Sequence, residues 1–293
     1  MAQRLIARFA GLFLACSFSV CRAQQPQHIT ISGRDVAVWK PTAAAPASGY
    51  PLIVFSHGFT GCNTQTKFLM EALAEAGYLV LAPNHKDAGC GGGRYLIGKG
   101  TRKPEVPFRE AGKWSDQTYR DRREDMEAVL DAALSHSEFD GVRVDAGRVG
   151  VAGHSLGGYT VLGLAGGWPS WKDPRVKAVL ALSPYSSPYL SKEQLGNLNI
   201  PVMYQGGTRD SGITPTVKKN GGAYDQSVKP KYYIELDGAG HLAWTNLNRM
   251  YVSSIDAYSV AFFDAYLKGR KGDLAKLLYK GRPKDVSSLR SAE

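Results

Sequence analysis

The sequence predicts an α/β fold: a mostly parallel central sheet, an antiparallel N-terminal hairpin leading into it, and helices on both faces. Three observations carry this expectation. Continuous apolar runs at 51–56 and 176–182 have strand length, as strands buried on both faces do. These runs alternate with stretches whose apolar residues recur at helical spacing, the pattern of a parallel sheet with crossover helices. Ahead of them, residues 28–39 alternate apolar and polar side chains around Ser32-Gly33, which marks a hairpin. At 293 residues the chain suits one large domain better than two ordinary ones.

The elements follow in order. After the hairpin, an Ala- and Pro-rich connector at 41–51 leads to the strand at 51–56. A helix is predicted over 66–76, with Phe68, Leu69, Leu73 and Ala76 on one face and Gly77 ending it, then a strand over 78–82. The connection 83–118 is far longer than usual and contains Gly89-Cys90-Gly91-Gly92-Gly93. It lacks the lysine and spacing of a phosphate loop and reads as a mobile rim of a site. A helix over 119–137 carries Met126, Val129, Leu130 and Ala133 at helical spacing. Strands are predicted at 148–152, 176–182, 200–205 and 231–236, and a closing helix at 247–267 with Tyr251, Ile255, Tyr258, Phe262 and Tyr266 on one stripe. Between 182 and 200 there is room only for a short helix, so no cap domain is expected.

The ends of the chain read differently. Arg4 and Arg8 precede an apolar stretch at 9–20, and Cys21-Arg22-Ala23 offers small residues for cleavage, so 1–23 reads as a signal peptide. The stretch is short for a membrane span, and the surroundings of Cys16 and Cys21 fit a lipid attachment poorly. The catalytic domain is then expected over 24–270, with a basic C-terminal tail at 271–293. Net charge is +10, and removal of Arg4, Arg8 and Arg22 with the leader leaves +7. The excess has no aromatic-interleaved basic motif, so it reads as a solvated face and not as a nucleic-acid surface. Export leaves Cys62 and Cys90, an even pair that suggests one disulfide in an oxidising compartment, with two buried thiols as the alternative.

The chemistry centres on Gly153-His154-Ser155-Leu156-Gly157. Between a β-branched run and an apolar helical stretch at 159–165, this pentapeptide reads as a nucleophile elbow. A serine hydroxyl needs a histidine to take its proton and a carboxylate to hold that histidine. In chain order the acid and histidine should follow the serine. His28, His57, His85, His136 and His154 all precede Ser155, and only His241 follows it. Asp210 is the acid of choice because it lies just past a predicted strand end; Asp225 and Asp237 are rivals. The amides of Leu156 and Phe59 are the expected oxyanion donors, Phe59 within His57-Gly58-Phe59-Thr60-Gly61. His57 is expected to orient that loop. His154 is expected at the rim, in contact with substrate or packing locally. An open cleft lined by Phe59, Tyr185 and Trp244 would suit apolar acyl or aryl esters. His85, Asp87 and Cys90 match no zinc spacing, so neither metal nor cofactor is expected.

With these residues assembled, the chain resembles the α/β-hydrolases over about 28–268. Within that fold it is similar to secreted esterases of the cutinase-like polyesterase, dienelactone-hydrolase and platelet-activating-factor-acetylhydrolase neighbourhood. The resemblance is carried by His57-Gly58-Phe59-Thr60-Gly61, the elbow with Gly158, Ser183-Pro184-Tyr185, and Ala223-Tyr224-Asp225 leading to Gly240-His241. It implies a cofactor-free ester hydrolase with Ser155, Asp210 and His241 as its triad and Phe59 and Tyr185 flanking the acyl group. It departs from the dienelactone hydrolases in having serine where they use cysteine, and from bacterial polyesterases in having no cysteine after Cys90. The expected partner is a small-molecule or polymeric ester, met by a monomer without nucleic acid or stable membrane insertion. An acyltransferase, a peptidase or a catalytically silent binding protein would be alternative uses of the same fold.

Overall fold

The computed structural model describes residues 25–89 and 103–293. The expected signal peptide, Cys90 and the glycine run beside it lie outside the described residues. The chain opens with β1 (Gln27–Ile31) and β2 (Arg34–Trp39), paired antiparallel about the Ser32-Gly33 turn. Then come β3 (Tyr50–Ser56), α1 (Lys67–Glu75) and β4 (Leu79–Pro83). Helix α2 (Arg120–Leu134) leads through the short β5 (Glu138–Phe139) into β6 (Val142–His154), which is much longer than the 148–152 run predicts. After α3 (Leu156–Leu162) and β7 (Val176–Leu182) the chain makes only the four-residue α4 (Ser187–Leu190) before β8 (Val202–Gly207). No cap is inserted there. Two short helices, α5 (Thr214–Lys218) and α6 (Ala223–Gln226), precede β9 (Lys231–Leu236), followed by α7 (Val252–Leu267), α8 (Lys271–Tyr279) and β10 (Val286–Ala292).

The sheet order is β1-β2-β4-β3-β6-β7-β8-β9-β10, with β5 paired to β6 off this path. From β4 to β9 all neighbours are parallel, and β2 and β10 join antiparallel at the two sides. Parallel strands must be covered on both faces, and β3 shows how. Leu52 and Val54 join α2 and α3 in one core, while Ile53 and Phe55 join α1 and α7 in the other. The segment expected as a tail, 271–293, supplies α8 and the edge strand β10, whose Leu289 pairs with Ile234. Of its basic residues, Lys271 and Lys276 lie on α8 and Arg290 on β10. No helix among the described residues is long and apolar enough to cross a membrane.

Candidate active site

The parallel strands all point the same way, so the loops after β3, β6, β7, β8 and β9 gather at one end of the sheet. Ser155 sits there between β6 and α3. Its φ of 56° and ψ of −115° are strained for a residue with a side chain. The flanking glycines make the turn possible. A Cβ on Gly157 would stand 1.9 Å from the Ser56 carbonyl oxygen, and one on Gly153 would stand 2.2 Å from that of Gly157. Any other residue at either position would force the helix away from the sheet.

His241 comes from the turn after β9, in a short 3₁₀ segment, His241–Trp244. Its Nε2 lies 2.9 Å from Ser155 Oγ. Asp210, buried past the end of β8, approaches Nδ1 at 3.3 Å through Oδ1 and 3.4 Å through Oδ2. The structure thus brings Ser155, Asp210 and His241 together. The rival acids lie elsewhere: Asp225 pairs with Arg290, and Asp237 accepts a hydrogen bond from Thr208. Ser183, at the end of β7, also enters the group; its hydroxyl donates to Asp210 and lies 2.9 Å from His241 Nδ1. Burial works against ionisation of Asp210, but hydrogen bonds from His241 and Ser183 hold its carboxyl below the usual range. Sequence reasoning that searches the 183–188 loop for carboxylates passes over this serine.

The loop after β3 forms the other wall. A Cβ on Gly58 would lie 3.4 Å from Ser155 Cβ, so this loop abuts the nucleophile. The N–H groups of Gly58, Thr60 and Gly61 bond to Gln65, Asp87 and the Gly58 carbonyl, whereas those of Phe59 and Leu156 have no acceptor among the described residues. Leu156 opens α3, where helical N–H groups have no partner within the helix. Leu156 directly follows Ser155, and Phe59 lies in the loop that abuts it.

Arg122 holds this wall from beneath. Fully buried on α2, it forks onto both oxygens of Asp87 at 3.0 and 2.8 Å. It also donates to the carbonyls of His57 at 2.7 Å and Gly58 at 3.2 Å. Burial opposes the charge on Asp87, but Arg122 outweighs it and draws the carboxyl down to about 2. His57 is buried with Nδ1 2.7 Å from the Gly58 carbonyl, and its Nε2 accepts the N–H of His85. Burial, followed by the nearby Arg122 charge, keeps His57 neutral. Its position is that of a loop support. His85 and Asp87 are engaged in these contacts, and no metal-binding group of three is found among the described residues.

Two expected substrate contacts are corrected. His154 is 3% exposed and not at the rim. The Gln65 side-chain amide donates to its Nδ1 at 2.9 Å, so its Nε2–H is left to donate to the His241 carbonyl, also at 2.9 Å. Burial above all pushes this imidazole down to about 3, and the ring stays neutral. As the last residue of β6 it packs between the β3 loop and the His241 turn. Trp244 is fully buried, with its indole N–H bonded to Gln205 at 3.0 Å. It belongs to the core that α1 and α7 cover. Phe59 is half-buried and Tyr185 mostly buried, and both meet a ring the sequence does not single out, Phe108, at 5.5 and 4.9 Å. Tyr185 also donates to the Phe108 carbonyl, docking the described part of the long loop onto the site. Beside Phe59 the surface opens into a cavity of about 400 Å³, walled in part by Lys86, Glu105 and Tyr119.

A serine raised on a strained strand–helix turn, over a parallel sheet and against a histidine from a later loop, defines an α/β-hydrolase. The match to family models is narrower. Residues 114–273, over half of the chain, match the PET hydrolase-like family, and the chain belongs to it. Residues 27–127 match the model of platelet-activating factor acetylhydrolase, isoform II. Among curated proteins, the chain is 27% identical over 225 residues to cutinase est2 of Thermobifida alba, covering 74% of this chain and 60% of that one. It is 26% identical to a cutinase of Thermobifida fusca (strain YX), with the same two shares. It is 31% identical over 114 residues to the putative esterase YitV of Bacillus subtilis (strain 168), covering 39% of this chain and 38% of that one. The match thus spans about 60% of the length of these cutinases.

Proposed function

We propose that this protein is a carboxylic ester hydrolase that works through an acyl-enzyme on Ser155. One observation carries the reading above the rest: the 2.9 Å contact between Ser155 Oγ and His241 Nε2 at a strained elbow, with Nδ1 turned to Asp210 and Ser183. Ser155 Oγ attacks the ester carbonyl carbon as its proton passes to Nε2. The resulting oxyanion takes hydrogen bonds from the Phe59 and Leu156 amides. Collapse breaks the bond to the alcohol oxygen, which leaves with the proton from Nε2. A water then adds to the acyl carbon, gives a proton to Nε2, and Ser155 recovers it as the acid departs.

The PET hydrolase-like family and the cutinases among its relatives favour ester over amide substrates. Phe59, Phe108 and Tyr185 offer an aromatic wall for an apolar acyl or aryl group. Residues 1–23 are read as an export signal, and a Cys62–Cys90 bridge would then form outside the cytoplasm. Ser155→Ala is expected to abolish turnover of short p-nitrophenyl esters while leaving thermal unfolding unchanged, and wild type is expected to label at Ser155 with a fluorophosphonate. Full turnover by the variant would end this reading.

A further inference from the structure

Ser183 follows β7 with a φ of 42°, in the left-handed region that a residue with a Cβ seldom adopts. It is fully buried, and its N–H is fixed by the Gln205 carbonyl at 2.8 Å. Its hydroxyl carries one proton and has two neighbours to satisfy. Asp210 is held ionised and can only accept, so the Ser183 proton belongs to Asp210 Oδ2. Only an oxygen lone pair is then left for His241 Nδ1 at 2.9 Å, and Nδ1 must be the donor. This contact is shorter than either approach of Nδ1 to the Asp210 oxygens, at 3.3 and 3.4 Å.

We propose that Ser183 is a positioning residue of the hydrolysis: it transmits the hold of Asp210 to His241 through its own hydroxyl, completing a chain of Ser155, His241, Ser183 and Asp210. The inference rests on the reading of Ser155 and His241 given above. A proton on Nδ1 leaves the lone pair of neutral His241 on Nε2, facing Ser155 Oγ, which is the tautomer a general base requires. No proton leaves Ser183 at any step. When Nε2 takes the Ser155 proton, Nδ1–H stays on the ring, and its positive charge faces an oxygen already polarised by donation to a carboxylate. Ser183 would thus stabilise the imidazolium more than the imidazole and act on kcat.

The test compares Ser183→Ala with Ser183→Gly, since glycine accepts the left-handed backbone without strain. Kinetics on a short p-nitrophenyl ester are read beside the downfield proton resonance of the His241 ring N–H. Both variants are expected to lose about ten- to a hundredfold in kcat, as befits a hydrogen bond to a charged group. KM should stay within about twofold, the melting temperature should be kept, and the ring N–H resonance should move. Wild-type kcat in either folded variant would overturn the proposal. A loss of kcat with an unmoved ring N–H resonance would overturn it as well. Should the alanine variant not fold, the glycine variant decides. Ser155→Ala separates the two readings: if it is dead while the Ser183 variants are active, only the Ser183 proposal falls; if it turns over, both fall.

Discussion

Ser155, His241 and Asp210 share the end of the sheet with a second set of the same three residue types. Ser56 Oγ lies 2.8 Å from His85 Nε2, and His85 Nδ1 lies 2.9 Å from Asp125, which Arg34 also binds at 2.7 Å. Measured by distance alone, the second set is the tighter one, against 2.9 and 3.3 Å in the first. Ser56, however, closes a regular strand, in register with Gly153, and is fully buried. The His85 side chain is 0% exposed, where that of His241 is 36% exposed. Burial first, then the Arg122 charge, holds His85 far below the usual imidazole range, so it cannot take up a proton. What separates the sets is access: a strained turn carries Ser155, and the His241 side chain is about a third open to solvent. The inner set spends the same chemistry on holding β3, β4 and α2 together.

The largest effect expected from this contrast is on the histidines and serines themselves. His241→Ala should lower kcat by about 10⁴–10⁶-fold, whereas Ser56→Ala should keep kcat within about threefold and cost about 1–2 kcal/mol through the acceptor left unpaired on His85. Steady-state kinetics and urea unfolding of the two variants read this directly, and inactivation by Ser56→Ala at full stability would break the contrast. Arg122 links the two sets, because it touches Ser56 at 3.4 Å and holds the carbonyls of His57 and Gly58. Arg122→Gln should destabilise the fold by about 3–5 kcal/mol, since it strands the Asp87 charge. In the folded fraction kcat should fall about a hundredfold as the Phe59 amide loses its place. Wild-type turnover in that variant would show the two sets to be independent.

A pH effect sharpens the same link. Asp87 titrates near 2 in the fold against an ordinary 3.8. Its stabilisation is therefore complete above 3.8 and is lost as pH falls through 2, amounting to about 2 kcal/mol. Acid unfolding of wild type should show that slope, and Asp87→Asn should lack it between pH 4 and 2. The smallest effect belongs to the open side alone: Phe108→Ala should raise KM for aryl esters about three- to tenfold, the worth of one aromatic contact, with alkyl esters less affected. Equal effects on both ester classes would argue against an aromatic wall.

The fold was legible because its signals are local and periodic. Strand-length apolar runs and the 119–137 helical stripe need no knowledge of partners. Ser155 and His241 were legible as candidates because an elbow has a local sequence form and a single histidine follows it. The residues that brace the site were not, since their partners lie far away in sequence: 35 residues separate Arg122 from Asp87, and 58 separate Ser183 from His241. One signal for Arg122 was present. It falls on the same stripe as Met126, Val129, Leu130 and Ala133, and an arginine on an apolar stripe needs a buried acid. For His154 and Trp244 nearness in sequence to the site misled, because distant partners bury both rings: Gln65 and the His241 carbonyl hold His154, and Gln205 holds Trp244.

The last strand has a practical meaning for anyone who trims or tags this chain. β10 covers the outer side of β9, with Val286, Ser288 and Leu289 opposite Leu236, Glu235 and Ile234, and β9 leads directly into the His241 turn. Truncation at 270 would leave a row of unpaired backbone groups along β9, inviting another chain to add itself there. The segment 271–293 thus guards the edge of the sheet on which the histidine depends.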